Sequence, residues 1–523
     1  MAEAEAQDQA NEQNADQFTR LGFVLAAIGS AIGLGNIWRF PYIAYSNGGG
    51  AFLIPYIFAL LTAGIPLLIM ETVIGHRFRG VAPLAFARAG RKKTEWIAWW
   101  QIAVSFIVST YYAVILAWAL SYAYFSFGLQ WGKDTEGFLL TNFLHVTPNP
   151  AESGGLALGG VVIGILVPLA IVWAATLGIL FRGVRKGLEL ANRVMIPVLM
   201  AMFFAIIVRA LTLPGAATGL NELFQPDFSR ITDSTVWIAA YSQIFFSLSV
   251  GWGIMSTLGS YVPKRMDLNN NAAIAAFSNC SFELLAGIAV FSCLGFLATQ
   301  QGVGVNQVAD QGPILAFVIF PQIINTFPGF NSVLGVLFFG SLIVAGLSSL
   351  ISIVETYVAG MSSKFGWSRR RSVALSGGFG ALISLLFTTQ GGLYLLDVTD
   401  YYSNNFGLVG AGLVEAIAFA WVLRRLEDLR AHSNPISDFS VGALWKIAIS
   451  VITPIVLGYM LFDLFRTTLE EGYEGYPTSL LNLGWVAVVG AVVVGFLFMA
   501  KSWGKVDLSV PADGRTTSQE ASA

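Results

Sequence analysis

The sequence predicts an all-α polytopic membrane protein: twelve transmembrane helices, an inverted five-plus-five repeat, and breaks in helices 1 and 6. Three observations carry the prediction. Of 523 residues, 55% are hydrophobic and only 11% are charged, with mean hydropathy +0.67; a soluble domain carries about 25% charged residues. Apolar runs of about 20 residues recur along the chain, each long enough to cross roughly 30 Å of hydrocarbon. Two of these runs are interrupted by glycine at matching places, "GSAIGLGNIWRFP" (Gly29 to Pro41) and "SLSVGWG" (from Ser247).

In chain order, residues 1–19 are acidic and Gln/Asn-rich. They cannot bury enough apolar surface to fold alone and read as a disordered cytoplasmic tail, with no cleavable signal peptide. The first repeat covers 20–212, with spans near 20–45, 51–76, 96–128, 155–181 and 188–212. The inverted second repeat covers 213–423, with spans near 235–261, 268–299, 331–363, 369–389 and 393–423. Two further helices, near 441–467 and 478–500, fill 424–500, and 501–523 form a second cytoplasmic tail. Residues 306–327 are too short and too polar at their start to span, and read as a helical loop outside the membrane.

Orientation follows the bases of the short loops. His76, Arg77, Arg79, Arg88, Arg91, Lys92 and Lys93 follow the second span. Arg182, Arg185 and Lys186 follow the fourth, and Lys264 and Arg265 the sixth. Lys364 and Arg369 to Arg371 follow the eighth, and Arg424, Arg425 and Arg430 the tenth. The alternate loops hold Asp134, Glu136, Glu152, Asp227, Asp233, Glu470, Glu471 and Glu474. Both termini are therefore predicted to be cytoplasmic, with the chain multi-pass in the cell (inner) membrane.

The two interruptions are the functional signal. A broken helix exposes carbonyls and amides that lipid cannot satisfy. Neighbours or a bound species must do so: carbonyls suit Na⁺, and a half-helix N-terminus suits a carboxylate. One glycine-rich run alone serves close helix packing equally well. Two runs at equivalent places in two half-repeats point to a transporter site near the midplane.

Other classes lack their signatures. His76, His145 and His432 lie far apart with no HExxH-like spacing, and Cys280 and Cys293 share one apolar segment without a nearby His. An intramembrane enzyme is thus a remote alternative, and the two cysteines imply no disulfide framework. A channel, which uses repeated filters or charged rings, does not need paired broken helices. "GLGNIW" follows no strand and is no nucleotide loop; no organic cofactor is expected. No basic tract suggests nucleic acid.

The chain resembles the neurotransmitter:sodium symporters, which have the LeuT-type fold, over roughly residues 20–500. "GSAIGLGNIWRFPYIAYSNGGGAFLIPY" (Gly29 to Tyr56) is the most specific match. Tyr111–Tyr112, "QIFFSLSVGWG" from Gln243, "AGLSS" at Ala345–Ser349 and "DVTDYYSNN" from Asp397 agree in order and spacing. The resemblance implies two Na⁺ sites. One takes the Ala31 carbonyl, Asn36, Ser247, Asn279 and the substrate carboxylate. The other takes the carbonyls of Gly29, Ile32 and Ala345 and the hydroxyls of Ser348 and Ser349. All are oxygen donors suited to a hard cation.

It also implies that the substrate lies between the broken helices. Its carboxylate would meet the amides of Leu34 and Gly35 and the Tyr112 hydroxyl. Its ammonium would meet Ala31, Phe246, Ser247 and Ser249. Family members that carry amines have Asp where this chain has Gly33, so Gly33 favours an amino acid with its own carboxylate. Val108, Phe246, Trp252, Ser349, Ser352 and Ile353 would set side-chain selectivity. Trp252 resembles the glycine-transporting branch and would leave room for a glycine- or alanine-sized side chain. The alternative is that the indole rotates away and admits larger hydrophobic or aromatic amino acids.

Four further roles are implied by the resemblance. Glu71 is a structural acid that caps free amides of the broken sixth helix. Glu283, four residues after Asn279, stands where chloride-dependent members hold Ser, so transport would be chloride-independent, and Glu283 is a candidate proton acceptor on the return step. Arg39 and Asp400, with Tyr112 and Phe246, would form the outer gate. The usual inner Arg–Trp and Asp positions hold Asn14, Gln17 and Ser363, leaving Tyr261 and Glu355 for a substitute latch and predicting an inner gate that closes less firmly. The implied whole is a Na⁺-coupled, alternating-access symporter of a small neutral amino acid, not an enzyme, embedded in the bilayer as a monomer or weak homo-oligomer.

Overall fold

A computed structural model describes residues 17–504 and 506–509. Asn14 and most of the first tail lie outside the described residues. Among the described residues, ten apolar helices are each long enough to cross a membrane. They are Gly49–Phe78, Glu95–Phe125, Ile163–Leu180, Val184–Leu211, Asn269–Gln301, Asn331–Phe365, Arg369–Thr388, Gly392–Val422, Ala443–Glu471 and Thr478–Ala500. Two broken elements complete the set. Arg20–Ala31 and Leu34–Ser46 bend by 55° at their junction, and Ser234–Ser247 is separated from Ile254–Ser260 by an irregular stretch. In chain order these are spans 1 to 12, with spans 1 and 6 broken.

Each break has a local cause. At the first, Ile32 and Gly33 are extended (Gly33 φ −137°, ψ −165°), and the Gly33 amide donates to Asn36 Oδ1 at 2.8 Å. The Asn side chain thus replaces a helical acceptor. At the second, Ser249, Gly251 and Gly253 take left-handed backbone at φ 54°, 81° and 71°, which stops the helix and which glycine adopts at little cost.

Gly33 and Gly35 also make room. A Cβ on Gly33 would stand 3.0 Å from Ser349 Oγ and from the Tyr112 hydroxyl, and one on Gly35 would stand 2.5 Å from the Phe246 ring.

Span 4 starts later than composition suggests. Residues 155–162 are irregular: Val161 bridges to Thr389, and the Val162 amide donates to the Thr388 carbonyl at 2.8 Å. The helix therefore begins at Ile163. Residues Gly312–Thr326 form a short apolar helix, with Phe320 stacked on Phe338 of span 8 at 3.7 Å. The start of the second tail folds back: Trp503 is buried, its indole donates to Glu95 Oε2 at 2.8 Å, and Lys364 Nζ lies 4.3 Å from its ring. Lys364, counted by sequence as a loop base, is buried and pairs with Glu95 at 2.5 Å.

Candidate functional site

The two breaks face each other, and spans 3, 7 and 8 close the space around them. Ser249 donates from the sixth-span break to the Ser30 carbonyl of the first at 3.1 Å, so the two interruptions are tied directly. Leu34 donates its amide to the Tyr112 hydroxyl of span 3 at 3.2 Å. This half-helix N-terminus, with Leu34 and Gly35 in its first turn, offers amides and a partial positive charge to an anion.

On one side of this centre a chain of amides gathers oxygens. Asn36 Nδ2 donates to Asn279 Oδ1 at 2.8 Å, and Asn279 Nδ2 donates to Ser247 Oγ at 3.1 Å. Asn36, Asn279 and Ser247 are buried. Three residues from spans 1, 6 and 7, expected by resemblance to share one ion, thus form one contiguous polar group.

On the other side, Ser349 Oγ lies 3.0 Å from the Ser30 carbonyl, 3.2 Å from that of Ile32 and 3.5 Å from that of Gly29. Ser348 Oγ lies 2.8 Å from the Ala345 carbonyl. Ser349 thus joins the Gly29 and Ile32 carbonyls, while Ser348 bonds back to Ala345 on its own helix; all five residues are neutral and buried. Ser30 was not singled out by sequence, yet its carbonyl takes both Ser249 and Ser349. Of the side-chain selectivity residues, Val108, Ile353 and Trp252 are buried; Ser352 donates to the Ser348 carbonyl at 3.3 Å, and Ser105 donates to the Trp252 carbonyl at 3.0 Å.

Two acids brace the site. Glu71 Oε1 accepts the Gly251 amide at 2.6 Å, while its main-chain carbonyl accepts Ser256 Oγ at 3.1 Å. Span 2 therefore holds the broken sixth helix at two points. Glu283 accepts Gln243 Nε2 at 2.6 Å and also the Tyr56 hydroxyl, and it lies on the helix that carries Asn279.

Arg39 and Asp400, expected to form an outer gate, make no ion pair with each other. Arg39 donates to Ser242 Oγ at 3.2 Å and its guanidinium lies 4.9 Å from the Phe246 ring centre. Asp400 accepts the Tyr111 hydroxyl at 2.7 Å and Asn404 at 2.9 Å.

The inner side is joined. The Phe18 amide donates to the Tyr261 carbonyl at 3.1 Å and the two rings pack edge-on. Tyr261 donates its hydroxyl to Glu355 at 2.7 Å, and Arg369 grips the same carboxylate with two bonds of 2.7 and 2.6 Å. Sequence reasoning identified Tyr261 and Glu355 and missed Phe18 and Arg369. Phe18 stands one residue beyond the position expected to pack there, and Arg369 reads locally as one of four loop bases. Arg369, the first residue of span 9, thus supplies Glu355 with an ion pair that the sequence reading did not name.

Comparison with known proteins agrees with this architecture. The model of the Sodium:neurotransmitter symporter family matches residues 16–147 and 133–505. An uncharacterised sodium-dependent transporter of Methanocaldococcus jannaschii is 41% identical over 479 residues, 92% of this chain and 96% of that protein. The creatine transporter of Torpedo marmorata is 32% identical, over 91% of this chain and 83% of its own length, and the sodium- and chloride-dependent taurine transporter of Bos taurus is 31% identical over 91% and 82%. The crystal structure of MhsT in complex with L-phenylalanine superposes with TM-score 0.72 at 32% identity, over 86% of this chain and 99% of that one. The chain belongs to the sodium:neurotransmitter symporter family.

Proposed function

We propose that this protein couples inward movement of a small neutral amino acid to the Na⁺ gradient, by alternating access and without chloride. The observation that carries the reading is the pair of oxygen clusters at the two breaks, Asn36–Asn279–Ser247 on one side and Gly29–Ile32–Ala345–Ser348–Ser349 on the other. Between them stand the helix-start amides of Leu34 and Gly35 and the Tyr112 hydroxyl, which holds the Leu34 amide, a group suited to the carboxylate of an amino acid. Gly33 supports that choice, because an aspartate there would press on Ser349 and Tyr112 and compete for the same place. Each Na⁺ moving inward gains about 2.3 kcal/mol per 100 mV of membrane potential.

Trp252 supports a small side chain, since its indole is buried and would take up volume in a pocket that Val108 and Ile353 are expected to line. A second reading, a larger hydrophobic or aromatic substrate, is favoured by the likeness to the phenylalanine complex of MhsT. Uptake of labelled glycine, alanine, leucine and tryptophan into proteoliposomes, with and without Na⁺ and Cl⁻, separates the two. The small-substrate reading expects Na⁺-dependent, Cl⁻-independent glycine or alanine uptake that broadens to leucine in Trp252→Phe. Wild-type preference for leucine or tryptophan sinks it and leaves the Na⁺ reading standing.

A further inference from the structure

Behind the sixth-span break lies a second buried polar group. Glu71 of span 2, Gln101 of span 3 and Glu415 of span 10 are all at most 1% exposed. Gln101 Nε2 donates to Glu415 Oε2 at 2.6 Å, and Glu71 Oε1 takes the Gly251 amide. Three oxygens are left without any partner: Glu71 Oε2, Gln101 Oε1 and Glu415 Oε1. The two acids meet around the same break: Glu71 holds the Gly251 amide, and Gly253, two residues on, lies against the Gln101 side chain that bonds Glu415; among the described residues no Lys, Arg or His pairs with either.

The surrounding wall is backbone and methyl groups. A Cβ on Gly253 would meet Gln101 Oε1 at 3.3 Å and the Thr356 methyl of span 8 at 3.6 Å. One on Gly251 would meet Leu408 and Gly412 of span 10 at 3.2 to 3.4 Å.

We propose that this cluster is a proton site and that Glu415 holds the proton on Oε1 at neutral pH. An ionised carboxylate only accepts hydrogen bonds. With both acids ionised, these three buried acceptors have no donor among the described residues. A primary amide offers both a donor and an acceptor, and only the acid form of Glu415 matches both: Oε2 accepts from Gln101 Nε2, while Oε1–H donates to Gln101 Oε1 or Glu71 Oε2. The proton comes from hydronium: its O–H bond breaks as the Oε1–H bond forms, and a water molecule is released. Protonation also removes one of two like charges in a shared site. Glu71 stays ionised, which suits its bond from the Gly251 amide. Losing the proton at alkaline pH would set a second negative charge beside Glu71 and loosen the anchor of the broken helix, linking span 10 to the transport centre through pH.

The test needs no knowledge of the substrate, so it stands or falls separately from the proposed transport activity. Infrared difference spectra of the full-length protein, reconstituted in lipid with Na⁺, are recorded in H₂O and D₂O at pH 7. A buried protonated-carboxyl band is expected in the wild type, absent in Glu415→Gln and retained in Glu283→Gln. A Glu415→Gln spectrum that superposes on the wild type in the carboxyl region overturns the proposal. Should Glu415→Gln fail to fold, Gln101→Leu leaves the acid in place and removes its amide partner. The band must then shift in frequency, and an unmoved band counts against the assignment equally.

Discussion

Replacing Arg369 by Ala strips Glu355 of two charge-assisted bonds, at 2.7 and 2.6 Å, while the carboxylate remains buried and keeps the Tyr261 hydroxyl. Breaking a fully buried pair by deleting one partner costs about 3–5 kcal/mol. Arg369 is 27% exposed, so the upper half of that range does not apply, and about 2 kcal/mol remains after solvent screening. That cost falls on the inside-closed state alone, because opening toward the cytoplasm lets water reach Glu355. At about 1.4 kcal/mol per decade, the inward-open population should rise roughly 30-fold. Amide hydrogen exchange of Arg20–Ala31, the half-helix below the first break, reads this directly in Na⁺-containing lipid. Arg369→Ala should exchange about 30-fold faster there, with little change in Thr478–Ala500. Adding Glu355→Gln should recover much of the protection, because the buried charge has gone. Unchanged exchange in Arg369→Ala, or a double variant that is worse by simple addition, would refute the latch.

Two further outcomes follow from the site. Ser349→Ala removes a hydroxyl that touches three first-span carbonyls. A lost buried polar partner is worth about 1–3 kcal/mol, so half-saturation by Na⁺ should rise on the order of tenfold in a titration of uptake, and an unshifted titration would remove Ser349 from the ion site. Glu283→Ser deletes the carboxylate held by Tyr56 and Gln243. Uptake should then depend on chloride, and equal rates in chloride and gluconate would show that Glu283 does not stand in for an anion.

What could be read from sequence was set by range. The spans were legible because hydropathy is local, and the breaks because Gly33, Gly251 and Gly253 supply backbone freedom that apolar helices do not otherwise need. Asn36 and Asn279 could be named, but their direct contact across 243 positions could not. The late start of span 4 was hidden for a different reason: residues 155–162 are small and apolar enough to pass for helix, and their pairing with Thr388 to Gly391 holds them extended. Lys364 shows the same limit from the charged side. A base after a span normally marks the cytoplasmic edge, yet here Glu95 and Trp503, far apart in the chain, bury it.

The buried acids show why the residues around a break matter as much as those within it. Unwinding span 6 frees amides that must be met inside the protein. Glu71 meets the Gly251 amide from span 2, and Ser105 of span 3 meets the Trp252 carbonyl from the opposite side. The break is therefore a backbone conformation held by spans 2 and 3, and the oxygens at Ser247 and the carbonyls of Phe246 and Ser249 inherit their positions from that hold. A change at Glu71 should consequently alter Na⁺ and substrate dependence together, although its side-chain bond is made to Gly251 and not to either oxygen cluster. Ser249 extends the coupling to span 1 through the Ser30 carbonyl, which also touches Ser349. One hydrogen-bonded path thus runs from Gly251, through the backbone to Ser249, and on to the second oxygen cluster.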